Sequence, residues 1–591
     1  MNINPDNPLI VQSDFTVLVE VDSPRYIEAR DALLRFAELV KSPEHVHTYR
    51  ITPLSIWNAR AAGVQGEDIV RALNDLSKYP VPHTIVVQVR DFAERYGKVK
   101  IIKAPIGVVL VAADEELMRH LAAFDTIAPL LEAQVAPNAW TVAASNRGKL
   151  KQNLIAQGYP AEDLAGYTQG EPLDIGLRSP TLRGHPFALR EYQTLAAEAF
   201  HAAGTDQGGS AVIVLPCGAG KTVVAIAAMA RVGRKTLILA SSVSAARQWI
   251  AEILDKTTLT KDQVGEYSGF TKDVLPVTVA TYNIVTHRDG RDGPFTHLRL
   301  FDAQDWGLIV YDEVHLLPAP VFQITASLQA RRRLGLTATL VREDGREMDV
   351  FSLIGPKKAD VPWKTLEKQG WIAKARCTEL RVPMPKWLKM SYAVADKRGR
   401  FRLASENPAK NQLVKDILDK HPDEPALIIG MYIEQLERLA GEMNMPIITG
   451  STPQKKRDEL FADFRLGRIK ALALSKVGNF AIDLPDASLA IQISGTFGSR
   501  QEEAQRLGRI LRPKDGVNQA HFYSIVSSES EEQDYAMNRQ LFLCEQGYVY
   551  HIVEVKEQPT PEPRPEINAR AKVMLPAGVS GTALPGGVGS G

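Results

Sequence analysis

Cysteine is nearly absent from the chain: Cys217, Cys377 and Cys544 are the three in 591 residues, and they stand far apart. A four-cysteine zinc or iron–sulfur site is excluded by count, and a disulfide framework lacks the partners to form. Net charge is equally scarce, with 70 Lys and Arg against 69 Asp and Glu, or +1. No global basic field concentrates phosphate, so any contact with nucleic acid must be built locally. Long apolar runs are missing too, since none approaches the ~20 residues of a membrane-spanning helix. The opening stretch MNINPDNPLIVQSD lacks the basic-then-apolar layout of a signal peptide, which reads as an intracellular chain with no membrane partner. What is present, 45% hydrophobic and 24% charged residues, is ordinary globular composition. At roughly 150 residues per domain, the length suffices for about four domains.

Apolar residues recur at helical spacing from Tyr26 to Val40, which predicts a helix there. Ile51 to Ala62, Glu67 to Lys78 and His83 to Tyr96 read as three further helices. Two strands follow, Lys98 to Lys103 and Gly107 to Ala112, turning at Ala104-Pro105-Ile106. Three helices and a hairpin is the order of a winged helix, and equally of a plain helical packing module. A second small unit then alternates strand and helix up to about Gly166.

From about Leu182 short apolar runs alternate with helical segments. Strands are expected at Ala211 to Leu215, Thr236 to Ala240, Val277 to Ala280, Gly307 to Tyr311 and Arg333 to Leu336. A second series stands at Ala426 to Ile429, Ile447 to Thr449, Lys470 to Leu474, Ala490 to Ile493 and Ala520 to Ile525. Continuous apolar strands separated by helices mean parallel sheets covered on both faces, so the fold class is α/β with two successive parallel-sheet domains. Beyond Lys556 the Pro- and Gly-rich sequence cannot bury a core and is expected to be a disordered tail.

Chemistry enters directly after the first of these strands. Pro216-Cys217-Gly218-Ala219-Gly220-Lys221-Thr222 lets backbone N–H groups close around a phosphate, with Lys221 reaching the β- and γ-phosphates and the Thr222 hydroxyl binding Mg²⁺. One departure stands out: Leu215 occupies the position where the full phosphate-loop pattern has its first glycine. The strand Gly307 to Tyr311 runs into Asp312-Glu313-Val314-His315. There Asp312 would hold Mg²⁺ and Glu313 would orient or deprotonate the attacking water. Thr337-Ala338-Thr339 puts two hydroxyls at a strand end, placed to sense that acidic loop. In Gln505 to Arg512 the residues Arg506, Arg509 and Arg512 recur every third position along one helix face. Arginines offered across a cleft neutralise the charge building on a transferred phosphoryl.

The order LREYQ, LPCGAGKT, DEVH, TAT, SKVGNFAIDLP and QRLGRILR resembles that of a superfamily-two helicase. Together with LTATLVRED, GSRQEEAQRLGRILR and QLFLCEQGY, it is similar to the XPB family of DNA helicases in its prokaryotic form. The resemblance implies two RecA-like motor domains, use of ATP and Mg²⁺, and 3′-to-5′ movement on single-stranded/duplex DNA junctions in DNA repair, in the cytoplasm at the nucleoid. It also implies roles by position. Arg190 and Gln193 would recognise the adenine, while Pro216, Cys217, Gly218, Ala219, Gly220, Lys221 and Thr222 would cradle the phosphates. Gly478 and Asp483 would link nucleotide to DNA. Lys221, Asp312, Glu313 and Gln505 would act in hydrolysis, with Arg509 and Arg512 as arginine fingers. Arg342, Glu343 and Asp344 match a triplet associated with duplex disruption, and a nuclease or another repair protein is the partner class implied for the amino-terminal third.

Further DNA contacts are expected where loops leave the sheet: Arg247, Gln248 and Trp249, and Thr281 with Tyr282. Lys397, Arg398, Arg400 and Arg402 surround Phe401, where the family carries a thumb-like element. Basic residues interleaved with an aromatic bind phosphate and stack on bases, or else form a solvated loop. Arg331-Arg332-Arg333 carries the same two readings. The expected domains are 1–106, helical or winged-helix-like; 107–175, damage-recognition-like; 180–356 and 411–555, the motor domains; 357–410, a linker; and 556–591, the tail. Two alternatives stay open: a duplex translocase that does not separate strands, and an ATP-gated DNA-binding adaptor.

Overall fold

The computed structural model describes residues 4–41, 45–205, 208–216, 218–288, 296–318, 321, 325, 331–338, 347–475, 487–495, 503, 506–508, 510–511 and 518–556. Two seven-stranded parallel sheets dominate it. In the first, the strand order is Val264–Tyr267, Val277–Thr281, Thr236–Ala240, Leu308–Tyr311, Arg332–Thr337, Ser210–Val214 and Lys357–Asp360. In the second it is Ile447–Ile448, Ala471–Leu474, Ala426–Ile429, Leu489–Gln492, Gln519–Ser527, Lys374–Val382 and Tyr550–Glu554. The central strands are buried along their whole length, as Thr236–Ala240 and Ala426–Ile429 show. Burial on both faces is why these segments read as unbroken apolar runs.

The sheet order positions the site. Ser210–Val214 and Leu308–Tyr311 flank Arg332–Thr337, so the phosphate loop and the acidic loop leave the same sheet edge two strands apart, roughly 10 Å. Close packing holds the middle strand, where a Cβ on Gly335 would meet Val212, Val314 and Ile354 side chains at 3.1–3.3 Å.

The amino-terminal third departs from expectation in three places. The helix predicted to Val40 spans Tyr26–Leu33, and Glu38–Lys41 is a strand. It closes an antiparallel sheet with Leu9–Val11, Thr16–Glu20 and Val46–Arg50, in which cross-strand pairing and burial of Leu39 outweigh helical spacing. The three helices stand at Pro53–Ala61, Gly66–Leu76 and His83–Arg95. The hairpin Val99–Ala104 and Gly107–Ala112 is not a wing of its own, because it forms the middle of a five-stranded sheet with Leu131–Ala136, Ala139–Val142 and Ala161–Leu164. The expected boundary at 106/107 therefore falls inside one hairpin.

The expected linker 357–410 is corrected as well. Lys357–Asp360 completes the first sheet and Lys374–Val382 lies in the second. Only its later part is the helical hairpin Lys386–Val394 and Lys397–Ser405. The amino-terminal units rest on both motor domains: Leu541 and Cys544 of helix Glu531–Glu545 join the core of the first unit. The Asn58 side-chain oxygen accepts from the Lys357 amide at 3.0 Å. The expected tail from residue 557 onward lies outside the described residues.

Candidate functional site

Gly218 and Gly220 adopt left-handed backbone at φ +80 and +84, a conformation that favours residues without a Cβ. At Gly220 a Cβ would also strike Gln193 Nε2 at 2.6 Å. Lys221 opens the helix Lys221–Val232 directly after the turn, so the helix N-terminus faces the place a phosphate would take. Cys217 lies outside the described residues. Gln193 Nε2 donates to the Ala219 carbonyl at 3.1 Å, and the Tyr192 hydroxyl donates to the same oxygen at 2.7 Å. Tyr192 and Gln193 thus grip the glycine turn from the side. Arg190 stacks on Trp371, its guanidinium carbon 4.3 Å from the ring centroid, a contact absent from the sequence reading.

Across the sheet edge, Lys221 Nζ lies 2.8 Å from Glu313 Oε1. Glu313 sits at φ +48, an unusual conformation for a residue with a side chain and one that clusters at functional sites. Burial works against its charge, but Lys221 and then His315 outweigh that and hold its carboxyl below the usual value. Its neighbour goes the other way: burial first, and Glu313 second, push Asp312 up to about 6. Glu313 Oε2 is buried without a hydrogen-bond partner. His315 Nδ1 is 2.7 Å from the Thr337 hydroxyl, so Thr337 does meet the acidic loop; Thr339 is outside the described residues. Two half-buried carboxylates, Asp312 elevated and Glu313 held between Lys221 and His315, suit a divalent cation beside a triphosphate. The donor set, hard oxygens from Asp312 and the Thr222 hydroxyl, suits Mg²⁺.

Three family models match this chain: "ERCC3/RAD25/XPB C-terminal helicase" over residues 366–572, "Type III restriction enzyme, res subunit" over 186–342, and "Helicase conserved C-terminal domain" over 9–136. A DNA 3′-5′ helicase XPB from Kineococcus radiotolerans is 53% identical over 553 residues, spanning 93% of this chain and 97% of that protein. The DNA 3′-5′ helicase XPB of Mycobacterium tuberculosis is 53% identical over 548 residues, 93% of this chain and 98% of its own. The chain belongs to the XPB family of DNA helicases. A more distant member, the Saccharomyces cerevisiae general transcription and DNA repair factor IIH helicase/translocase subunit XPB/SSL2, is 31% identical and covers 94% of this chain and 73% of its own length.

Several residues that XPB-type motifs and basic runs single out stand elsewhere than expected. Thr281 and Tyr282 are buried. The Thr281 hydroxyl caps the short helix Tyr282–Val285, and the Tyr282 hydroxyl donates to the Asp312 carbonyl at 2.9 Å. Tyr282 serves the acidic loop, Thr281 serves the helix start, and neither side chain is exposed. Trp249 is buried as well and donates from Nε1 to Asp312 Oδ2 at 2.9 Å. On the same helix Arg247 is exposed and pairs with Glu266 at 3.0 Å, while Gln248 is half-buried.

Phe401 is fully buried against Tyr535, with ring centroids 5.2 Å apart. It anchors helix Lys397–Ser405 and has no face free for a base. Arg402 bridges Glu406 and Glu434, and Arg400 pairs with Glu531 at 3.3 Å. Lys397 and Arg398 remain exposed. Arg331 pairs with Asp305. Arg332 donates to the Thr168 carbonyl at 3.3 Å and Arg333 to the Leu353 carbonyl at 2.7 Å, so this arginine run is structural. Arg506 is buried and bonded to Gln492. Arg342, Glu343, Asp344, Gly478, Asp483, Gln505, Arg509 and Arg512 lie outside the described residues.

Proposed function

We infer that this chain is an ATP-driven 3′-to-5′ DNA helicase acting in DNA repair. The observation that carries the reading is the Lys221–Glu313–Asp312 constellation at one sheet edge, in a chain that belongs to the XPB family. Lys221 neutralises Glu313. An incoming γ-phosphate competes for the Lys221 ammonium and releases Glu313 to orient the attacking water. Thr222 and Asp312 would hold Mg²⁺, which supplies charge neutralisation at the β- and γ-phosphate oxygens. Arg190, Gln193 and Trp371 seat the base. Gln505, Arg509 and Arg512 close on the γ-phosphate from the second motor domain, with Gly478 and Asp483 carrying the state of the nucleotide to DNA.

The DNA strand runs over the face carrying Arg247, Gln248, Lys397 and Arg398, and Arg342, Glu343 and Asp344 act at the duplex junction. Residues 1–175 supply recognition of damaged DNA and a docking place for a nuclease or other repair protein. Among the described residues no helix is long and apolar enough to cross a membrane, and the working place proposed is chromosomal DNA in a prokaryotic cytoplasm.

Two matched partial duplexes, one with a 3′ and one with a 5′ single-stranded tail, test the reading. Displacement with ATP on the 3′-tailed duplex alone is expected. Opening of the 5′-tailed duplex overturns the polarity, and DNA-stimulated hydrolysis with neither opened makes the protein a translocase instead.

A further inference from the structure

The second motor domain carries a cluster of metal-ligating side chains that the nucleotide chemistry does not use. His421 caps the end of helix Ala409–Lys420, and Glu424 follows in the turn His421-Pro422-Asp423-Glu424-Pro425. His521 comes from strand Gln519–Ser527, a hundred residues later. Ligand atoms of all three lie within 4.8 Å of one another. His421 Nδ1 is 3.0 Å and His521 Nε2 3.8 Å from the same Glu424 oxygen. With metal–ligand bonds of about 2.0–2.1 Å, ligands of one tetrahedral zinc ion stand roughly 3.3 Å apart, and the two separations bracket that value.

The outer groups fit as well. Tyr523 is two residues after His521 and so shares its face of the strand. Its hydroxyl lies 3.0 Å from His421 Nε2, the kind of contact at the far nitrogen that fixes tautomer and ring orientation in metal-binding histidines. The other Glu424 oxygen is buried without a hydrogen-bond partner. Pro422 and Pro425 stiffen the turn, and Lys470 Nζ donates to the Pro422 carbonyl at 3.2 Å. Arg376 and Lys420 add positive charge nearby, which weakens the attraction for a cation. His521 also lines a cleft of about 380 Å³ with Lys374, Arg376 and His551, leaving solvent a route to a fourth coordination position.

We propose that His421, His521 and Glu424 form a zinc site that staples the turn before strand Ala426–Ile429 to strand Gln519–Ser527. Two imidazoles and one carboxylate select zinc or a similar borderline transition ion over Mg²⁺ or Ca²⁺. The bland reading is a Tyr523–His421–Glu424 hydrogen-bond chain that binds no ion.

The test uses tag-free, chelator-stripped full-length protein titrated with Zn²⁺ without nucleotide, against a chromophoric competitor. One equivalent is expected in the parent protein and in D312N, and none at this site in the double variant H421Q/H521Q. Equal uptake by the parent and the double variant overturns the proposal, as does uptake lost only in D312N, which would place the ion in the nucleotide site. Because the double variant can fail to fold, Co²⁺ is loaded into the parent as well. Intense visible d–d bands of a four-coordinate ion support the site, and their absence overturns it.

Discussion

The indole of Trp249 donates to Asp312 Oδ2 at 2.9 Å, from a helix whose other side presents Arg247 to solvent. A buried side chain thereby joins the helix proposed to face DNA to the carboxylate proposed to hold Mg²⁺. Tyr282 adds a second tie through its hydroxyl to the Asp312 carbonyl. On the proposed function, movement of this helix on a DNA strand would be passed to Asp312 through the Trp249 bond.

Trp249→Phe removes the donor and leaves part of the buried indole's space empty. A hydrogen bond to a charged group is worth ~1.5–3 kcal/mol, so DNA-stimulated ATP turnover is expected to fall about 10- to 100-fold. The Mg²⁺ concentration for half-maximal turnover should rise, and thermal stability should fall, because a buried hydrogen bond and part of a buried ring are lost. Steady-state ATPase assays over a Mg²⁺ series with and without DNA check this; an unchanged Mg²⁺ requirement removes Trp249 from the coupling.

Asp312 predicts a pH dependence. Its carboxyl is raised by burial and by Glu313 to about 6, and only the ionised form holds a cation. Turnover at limiting Mg²⁺ should climb as pH rises through about 6 and fall below it. For stability the sign reverses, because a carboxyl raised in the folded state contributes stability below its unfolded value and loses it as pH rises through the folded one. Asp312→Asn should therefore raise the nucleotide-free melting temperature at pH 7, with the gain shrinking toward pH 4. Melting curves at the two pH values decide it.

Asp163 is buried between Arg147 and Lys151, with nitrogen–oxygen distances of 2.6 and 2.9 Å. Its carboxyl stays well below the usual range because the two cations outweigh burial, and burial pulls Lys151 down to about 7. Asp163→Asn leaves Arg147 buried without its counter-charge and drives Lys151 toward its neutral form, and breaking such a set costs ~3–5 kcal/mol. Chemical denaturation should show this loss in the transition that includes residues 99–164, while ATP hydrolysis by the motor domains persists. A loss below 1 kcal/mol contradicts this reading.

The central strands were legible because burial on both faces writes itself as continuous apolar sequence; Thr236–Ala240 and Ala426–Ile429 match their expected limits. Not every edge strand was. Lys357–Asp360 pairs on one side only, and its half-exposed or exposed residues, KKAD, leave no apolar signature. At the site, Lys221, Asp312 and Glu313 were legible because phosphate chemistry demands those residue types beside a strand end. Thr281, Tyr282, Trp249 and Phe401 were misread, since a hydroxyl or ring near basic residues looks the same in sequence whether it faces solvent or core. In Tyr282 and Trp249 the polar atom reaches inward to Asp312, and spacing carries no trace of that. Trp371 gave no signal because its partner Arg190 lies far off in sequence.

The account rests on ATP hydrolysis at the pair Lys221 and Glu313, and ATP turnover of Lys221→Ala and Glu313→Gln, with and without DNA, tests it most directly. Removing a positioned acid–base group costs about 10²- to 10⁴-fold. Turnover should fall by at least that much in both variants, while circular dichroism and DNA binding match the parent protein. Undiminished turnover in either variant, correctly folded, would contradict the assignment of the site.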